Sequence, residues 1–147
     1  MLDSYRNLID ELLGTPSILR TLLDGSSAPP PEVLTLIDEL RARDESMLDR
    51  LNTILRTQGA VLAPLVNDST AENASLALTG DPSELLSRFD HARGEIVSLL
   101  MNLTIRDWGR SAIGDDGQTT YMSDEVENHV DFEEDQLVRI TDAMRAG

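Results

Sequence analysis

Four stretches of this sequence place apolar residues at every third or fourth position, and this spacing constrains the fold more than any other feature. It is the period of an α-helix with one apolar face. No stretch of useful length alternates apolar and polar residues as a β-strand does. Because four such helices can bury their apolar faces only against one another, the sequence predicts an all-α four-helix bundle, with residues 1–147 as one domain.

The first of these stretches predicts a helix in two segments. Its apolar pattern runs from Tyr5 to Leu13, and the residues Gly14-Thr15-Pro16 then interrupt it. Proline has no backbone donor and disrupts a helix interior, but it suits the first turn of a helix. We therefore expect a break here, with Thr15 as the cap of the second segment.

The other three helices have clearer limits. The second is predicted over residues 32–56, and the third begins with the cap Asp81 and the first-turn proline Pro82. The last is predicted to begin with a cap at Ser123 and to end at Met144. Together with the first helix they provide the four apolar faces that a bundle needs.

Two long connections join these helices. Residues 60–81 contain several turn residues, and a short helix is predicted at 72–78. A connection of this length in a small bundle must cross from one end to the other or be functional. Residues 104–120 predict a loop, which Trp108 anchors on the bundle.

Two carboxylates interrupt the apolar faces: Asp44 in the second helix and Glu133 in the last. We expect both to lie at the edge of the interface and to reach water. If they are buried instead, each needs a partner, for which the candidates are Arg41, Arg43 and Arg139. Two facing carboxylates could also act as an acid–base couple.

Composition excludes several classes of function. The net charge of −15 disfavours binding to nucleic acid or to an anionic membrane surface, both of which require clustered basic residues. The chain has no cysteine, so a disulfide, a thiolate nucleophile and a cysteine zinc site are excluded. There is no apolar run long enough to span a bilayer and no signal-peptide pattern at the N-terminus, so we expect a cytoplasmic protein.

Four motifs in register resemble those of the DinB-like family. They are Thr-Pro-Ser-Ile-Leu-Arg-Thr-Leu-Leu at 15–23, Glu-Leu-Arg-Ala-Arg-Asp with Met-Leu-Asp-Arg-Leu at 39–51, Leu-Thr-Ile-Arg-Asp-Trp at 103–108 and Phe-Glu-Glu-Asp-Gln-Leu-Val-Arg-Ile at 132–140. The resemblance implies an up-down-down-up bundle with a long crossover connection, which is often a homodimer.

The resemblance also implies a site. Family members typically hold a divalent metal with three histidines, and those studied as enzymes include thiol-cofactor-dependent transferases and isomerases. The corresponding positions here are Glu39, Phe132 and Gln136, and Phe132 has no donor atom. We therefore expect a protein without a metal or cofactor that binds a small molecule or a partner, rather than an enzyme.

The two histidines of the chain, His91 and His129, are too few for a three-histidine site. His91 lies among polar residues of the third helix, and we expect it to be solvated. His129 lies at the edge of the apolar face of the last helix, and we expect its ring to pack at the interface.

An alternative metal site would be built from carboxylates and His129. Residues Glu125, His129 and Glu133 are spaced four apart and so share one helix face. Glu39 or Asp44 of the second helix could complete the site, and such donors suit Zn, Ni, Fe or Mn. The alternative function is then a divalent-metal-dependent thiol-cofactor transferase or isomerase with a rearranged site.

Overall fold

Helices make up most of the computed structural model, which describes residues 2–24, 28–65 and 81–146. The four long helices are α1 Leu2–Asp24, α2 Pro31–Arg56, α3 Pro82–Met101 and α5 Met122–Ala146, and they confirm the predicted bundle. The shorter elements are helix α4 Ile105–Trp108 and strands β1 Ser111–Ile113 and β2 Thr119–Tyr121. None of the described helices is long and apolar enough to cross a lipid bilayer.

Two apolar clusters give the direction of each helix. In the order α1, α2, α3 and α5, the lower cluster contains Leu12, Met47, Ile96 and Val126. In the same order, the upper cluster contains Leu19, Ile37, Phe89 and Ile140. Helices α1 and α5 therefore run upward and α2 and α3 run downward, as predicted. Helix α2 ends beside the lower cluster and α3 begins beside the upper one, and the short helix predicted at 72–78 lies outside the described residues.

Helix α1 is one continuous helix, so the predicted break before Pro16 is wrong. Thr15 is buried within the helix and does not cap it. Pro16 has no N–H to offer the backbone oxygen of Leu12, four residues earlier. The Arg93 Nη1 of α3 donates to that oxygen instead, at 2.7 Å. A side chain thus replaces the missing backbone hydrogen bond, and the helix continues through the proline.

Of the two predicted caps, that of α3 is confirmed and that of α5 is wrong. Asp81 caps α3 as predicted, since its side chain accepts a hydrogen bond from the backbone N–H of Ser83. The predicted cap at Ser123 is wrong, because α5 begins one residue earlier, directly after β2. The backbone N–H of Met122 donates to the oxygen of Arg110 at 2.9 Å, so the preceding segment provides the acceptor that a cap would supply.

Residues 104–120 hold more structure than the predicted loop. Thr104 and Asp107 form a capping box that starts α4, and β1 and β2 pair antiparallel after it. Each strand has three residues, which is too short for an alternating pattern to be visible in the sequence. Trp108 is buried and stacks on Tyr5 of α1 with ring centroids 4.4 Å apart, which confirms that it anchors this region.

Candidate functional site: a buried charged layer

A layer of buried polar side chains separates the two apolar clusters, and every long helix contributes to it. Its members, called the central layer below, are Thr15 of α1, Asp44 of α2, Arg93 of α3, and His129 and Glu133 of α5. Each is at most 1% exposed. The expectation that Asp44 and Glu133 reach water at the edge of the interface is therefore wrong.

Arg93 joins the two carboxylates of the central layer. Its Nε donates to Asp44 at 2.9 Å and its Nη2 to the other oxygen of Asp44 at 3.1 Å, which is a bidentate pair. Nη2 also donates to Glu133. Burial disfavours the charged guanidinium, but the two carboxylates outweigh it and raise the pKa of Arg93. The bundle thus keeps one cation between two anions at its centre.

The predicted partners of these carboxylates, Arg41, Arg43 and Arg139, are not the ones that the fold provides. The partner is Arg93, which lies four residues after Phe89 and four before Val97, both buried. Its position on the apolar face was therefore visible in the sequence. Its pairing with other helices was not, because that depends on how the helices pack.

His129 contacts Asp44, and both residues are buried. Its Nε2 lies 2.7 Å from Asp44 Oδ1, while its Nδ1 is buried without a hydrogen-bond partner in the described part of the chain. Burial raises the pKa of Asp44, but Arg93 and the hydrogen bond of His129 outweigh it, and the pKa lies below its usual range. Asp44 is therefore a carboxylate.

The pKa of Glu133 is shifted in the opposite direction, upward. Burial is the largest influence on its carboxyl group and raises its pKa, although Arg93 and Thr15 act against this. Thr15 Oγ1 donates to Glu133 Oε2 at 2.7 Å. The two carboxylates beside Arg93 therefore differ in environment, and Asp44 holds its negative charge more firmly than Glu133 does.

The three positions that the resemblance assigns to metal ligands lie on facing parts of α2 and α5. Gln136 Nε2 donates to Glu39 Oε2 at 2.8 Å and to the backbone oxygen of Leu36 at 3.1 Å. The guanidinium carbon of Arg43 lies 4.0 Å from the ring centre of Phe132. A divalent metal does not fit this arrangement, because Phe132 has no donor atom, the Gln136 amide presents its nitrogen, and Arg43 adds a positive charge.

The acids of the alternative metal site have separate partners. Glu125 binds Arg50 and accepts a hydrogen bond from Thr120 Oγ1 at 2.8 Å, whereas Glu133 binds Arg93. Arg50 also donates to Asp115 at 2.8 Å. Within residues 2–24, 28–65 and 81–146, no three His, Asp or Glu side chains converge in a way that could hold a metal ion.

A groove of about 630 Å³ opens between α1 and α3. Its walls include the apolar side chains of Leu13, Pro16, Val97 and Met101, and Arg93 of the central layer also borders it. The sequence did not predict this groove. His91, by contrast, is solvated as predicted: its side chain is 80% exposed and lies 3.0 Å from Glu95.

Comparison with solved structures identifies the same fold in YfiT from Bacillus subtilis, which is described as a probable metal-dependent hydrolase with an unusual four-helix bundle topology. The two chains are 18% identical, with a TM-score of 0.79, and the match covers 99% of this chain and 89% of that one. No protein-family model and no curated protein matches the chain. The similarity shows that the chain has the DinB-like four-helix-bundle fold, as its motifs suggest.

Proposed function

We propose that this DinB-like bundle is a metal-free binding protein that takes a small molecule in the groove between α1 and α3. The observation that carries the proposal is the place of Arg93, which borders the groove and also neutralises the carboxylates at the centre of the bundle. One guanidinium thus supplies the positive charge that buried carboxylates require.

Electrostatics supports the absence of a metal. Asp44 and Glu133 are both paired with Arg93, and Glu125 is paired with Arg50. A divalent cation placed among these groups would meet two guanidinium charges in a poorly screened interior. It would also need donor atoms at positions where the chain has Phe132 and the amide of Gln136.

The shape and lining of the groove support ligand binding. Its volume of about 630 Å³ lies in the range of about 300–1,000 Å³ that small-molecule sites occupy. Leu13 and Met101 border it and are 56% and 67% exposed, so a ligand would cover apolar surface that is now in water. The ion pair between Arg20 and Asp90 adds a polar feature to its lining.

Filling the groove tests this proposal. Gly94 borders it, and a Cβ added there meets nothing within 4 Å. Gly94→Leu should weaken binding of the neutral apolar dye N-phenyl-1-naphthylamine at least about tenfold. Gly14→Leu is the matched control, because it adds the same side chain to a helix at a position that does not border the groove and is equally open. Equal dye binding by the wild type and Gly94→Leu would reject the groove as the site.

Metal analysis tests the other half of the proposal. Protein purified without an affinity tag should contain no stoichiometric zinc, nickel, iron or manganese. A full equivalent of any of them would reject the metal-free assignment, whatever the result of the dye experiment. The two halves of the proposal therefore fail separately.

A second candidate function is the metal-dependent thiol-cofactor transferase or isomerase with a rearranged site. The observation that favours it is the Nδ1 of His129, which has no hydrogen-bond partner within residues 2–24, 28–65 and 81–146, since a free imidazole nitrogen is a common metal ligand. It predicts that zinc or nickel raises the melting temperature by mass action. A metal-induced rise that His129→Ala abolishes would support this candidate, and a rise that the variant keeps would reject it.

The homodimer implied by the family resemblance is also a proposal. It requires a self-complementary patch on each subunit. Light scattering should then give twice the chain mass of 16.2 kDa at micromolar concentration. A particle of 16.2 kDa under those conditions would contradict it.

A further inference from the structure

Arg43 is a half-buried cation without a carboxylate partner in the part of the chain that the structure describes. The three more deeply buried arginines, Arg41, Arg50 and Arg93, each hold at least one carboxylate. The Nε of Arg43 is buried and has no hydrogen-bond partner among the described residues. A charged donor left in this way is costly in free energy and calls for an acceptor.

The guanidinium of Arg43 is held in a defined place. It lies over the ring of Phe132, with 4.0 Å between the guanidinium carbon and the ring centre. A guanidinium beside an aromatic face is held by cation–π attraction and keeps its N–H groups as hydrogen-bond donors. The contact with Phe132 of α5 therefore places the Arg43 guanidinium at the interface of α2 and α5.

The nearby acids do not serve as its counter-ions. Glu39 is bonded to the amide of Gln136, Asp44 to Arg93, and Glu125 to Arg50. Burial and then the like charge of Arg50 lower the pKa of Arg43, while Glu125 and Asp44 act against this. Among the described residues no carboxylate forms an ion pair with this guanidinium, although the whole chain carries −15.

The shape of the donor and the field of the protein define the ligand class. A guanidinium edge matches a carboxylate with two parallel hydrogen bonds. The net charge of −15 disfavours ligands with several negative charges, so a single charge is preferred. We propose that Arg43, which lies over the ring of Phe132, binds the carboxylate of a small monocarboxylic acid at the interface of α2 and α5.

This site is separate from the groove of the proposed function. Helix α2 packs against α3 and α5, and α1 also packs against α3 and α5, so the α2–α5 and α1–α3 interfaces lie on opposite sides of the bundle. The two proposals therefore stand on different residues. Dye binding in the groove reports on one of them, and anion binding at Arg43 reports on the other.

Nuclear magnetic resonance of arginine Nε–H groups provides the test. Acetate is titrated against the protein at constant ionic strength with chloride as the balancing anion, and Arg43→Gln assigns the Arg43 signal. The expected result is a saturable shift of that signal, kept in Arg139→Gln, which removes an exposed arginine of α5. No saturable shift, or shifts of equal size at the exposed arginines, would overturn the proposal.

If Arg43→Gln folds poorly, the acetate dependence of the melting temperature in Arg43→Lys provides a second test. Arg43→Lys keeps the charge but loses the planar pair of donors. Acetate should raise the melting temperature of the wild type by mass action, with a dissociation constant at least about tenfold higher in Arg43→Lys. An equal constant in the two proteins would overturn the site. Inorganic phosphate should bind more weakly than acetate, and tighter phosphate binding would overturn the monocarboxylate assignment.

Discussion

Arg93 Nη1 lies 2.7 Å from the backbone oxygen of Leu12, the oxygen that Pro16 leaves without its helical donor. The same guanidinium binds Asp44 and Glu133. The other three long helices are therefore all tied to one side chain of α3. This makes Arg93 the residue on which the centre of the bundle depends most.

Replacing Arg93 by methionine should destabilise the protein strongly. The change keeps a long side chain but leaves two buried carboxylates without their cation, for which about 3–5 kcal/mol of unfolding free energy is typical. Urea unfolding at neutral pH measures the change. Arg139→Met, at an exposed position of α5, should change the stability by less than about 0.5 kcal/mol. A loss below about 1 kcal/mol in Arg93→Met would show that the central layer does not need its cation.

Pro16→Ala should reduce the dependence of α1 on Arg93. Alanine restores the N–H that can bind the Leu12 oxygen, so Arg93→Met in this background leaves that oxygen satisfied. A double-mutant cycle should show a coupling of about 1 kcal/mol, the typical net value of one hydrogen bond. Strictly additive effects would mean that the contact between Arg93 and Leu12 does not compensate for the proline.

The loss of stability at acidic pH should depend on Asp44. The pKa of this carboxyl lies below its ordinary value of 3.8, so the folded state favours the charged form. Its contribution is complete above pH 3.8 and is lost as the pH falls through the lowered pKa of the folded state. Asp44→Asn should therefore flatten the loss of stability below that pH.

Unfolding in urea, measured from pH 7 to pH 2.5, gives the decrease in unfolding free energy with falling pH for the wild type and the variant. Asp49→Asn, an exposed aspartate of α2, is the matched control and should leave the slope unchanged. The same slope in the wild type and Asp44→Asn would contradict the ionised state assigned to Asp44.

The carboxyl pair Glu11 and Glu134, at the α1–α5 contact, should instead make the protein less stable as the pH rises. A hydrogen bond with Glu134, followed by burial and the charges of Glu134, Glu133 and Asp131, raises the pKa of Glu11 from 4.5 to about 7. Its contribution to stability is present below pH 4.5 and is lost as the pH rises through about 7. Glu11→Gln keeps an uncharged donor there and should remove this loss.

The difference in melting temperature between pH 5 and pH 8 measures the effect. It should be smaller in Glu11→Gln than in the wild type, and unchanged in Glu127→Gln, an exposed glutamate of α5. Because Glu11 is exposed, water screens the pair and the effect should be modest. An unaltered difference in Glu11→Gln would show that the two carboxyls do not share a proton.

The sequence allowed the bundle to be predicted because each long helix carries its own apolar period. This information is local, and it sufficed for α2, α3 and α5 to within a few residues. The prediction failed at Pro16, because a proline inside a helix normally breaks it. Here Arg93 of α3 supplies the hydrogen bond that the proline cannot make, so the helix continues. The short strands failed for the opposite reason, since three residues are too few to show a period.

The candidate site was predictable only in part. Asp44, His129 and Glu133 were identified because each departs from an apolar face. Their partner Arg93 was missed, and the pairing of Gln136 with Glu39 was not foreseen. Both depend on which helices become neighbours, and a helical period contains no information on that point.

Crystals grown with zinc and nickel, with data collected at the absorption edge of each metal, test the central claim most directly. We expect the Arg93 guanidinium between Asp44 and Glu133, and no anomalous peak in the central layer or between Glu39 and Gln136. A peak bonded to His129 Nδ1, or to Glu39 together with Gln136, would contradict it.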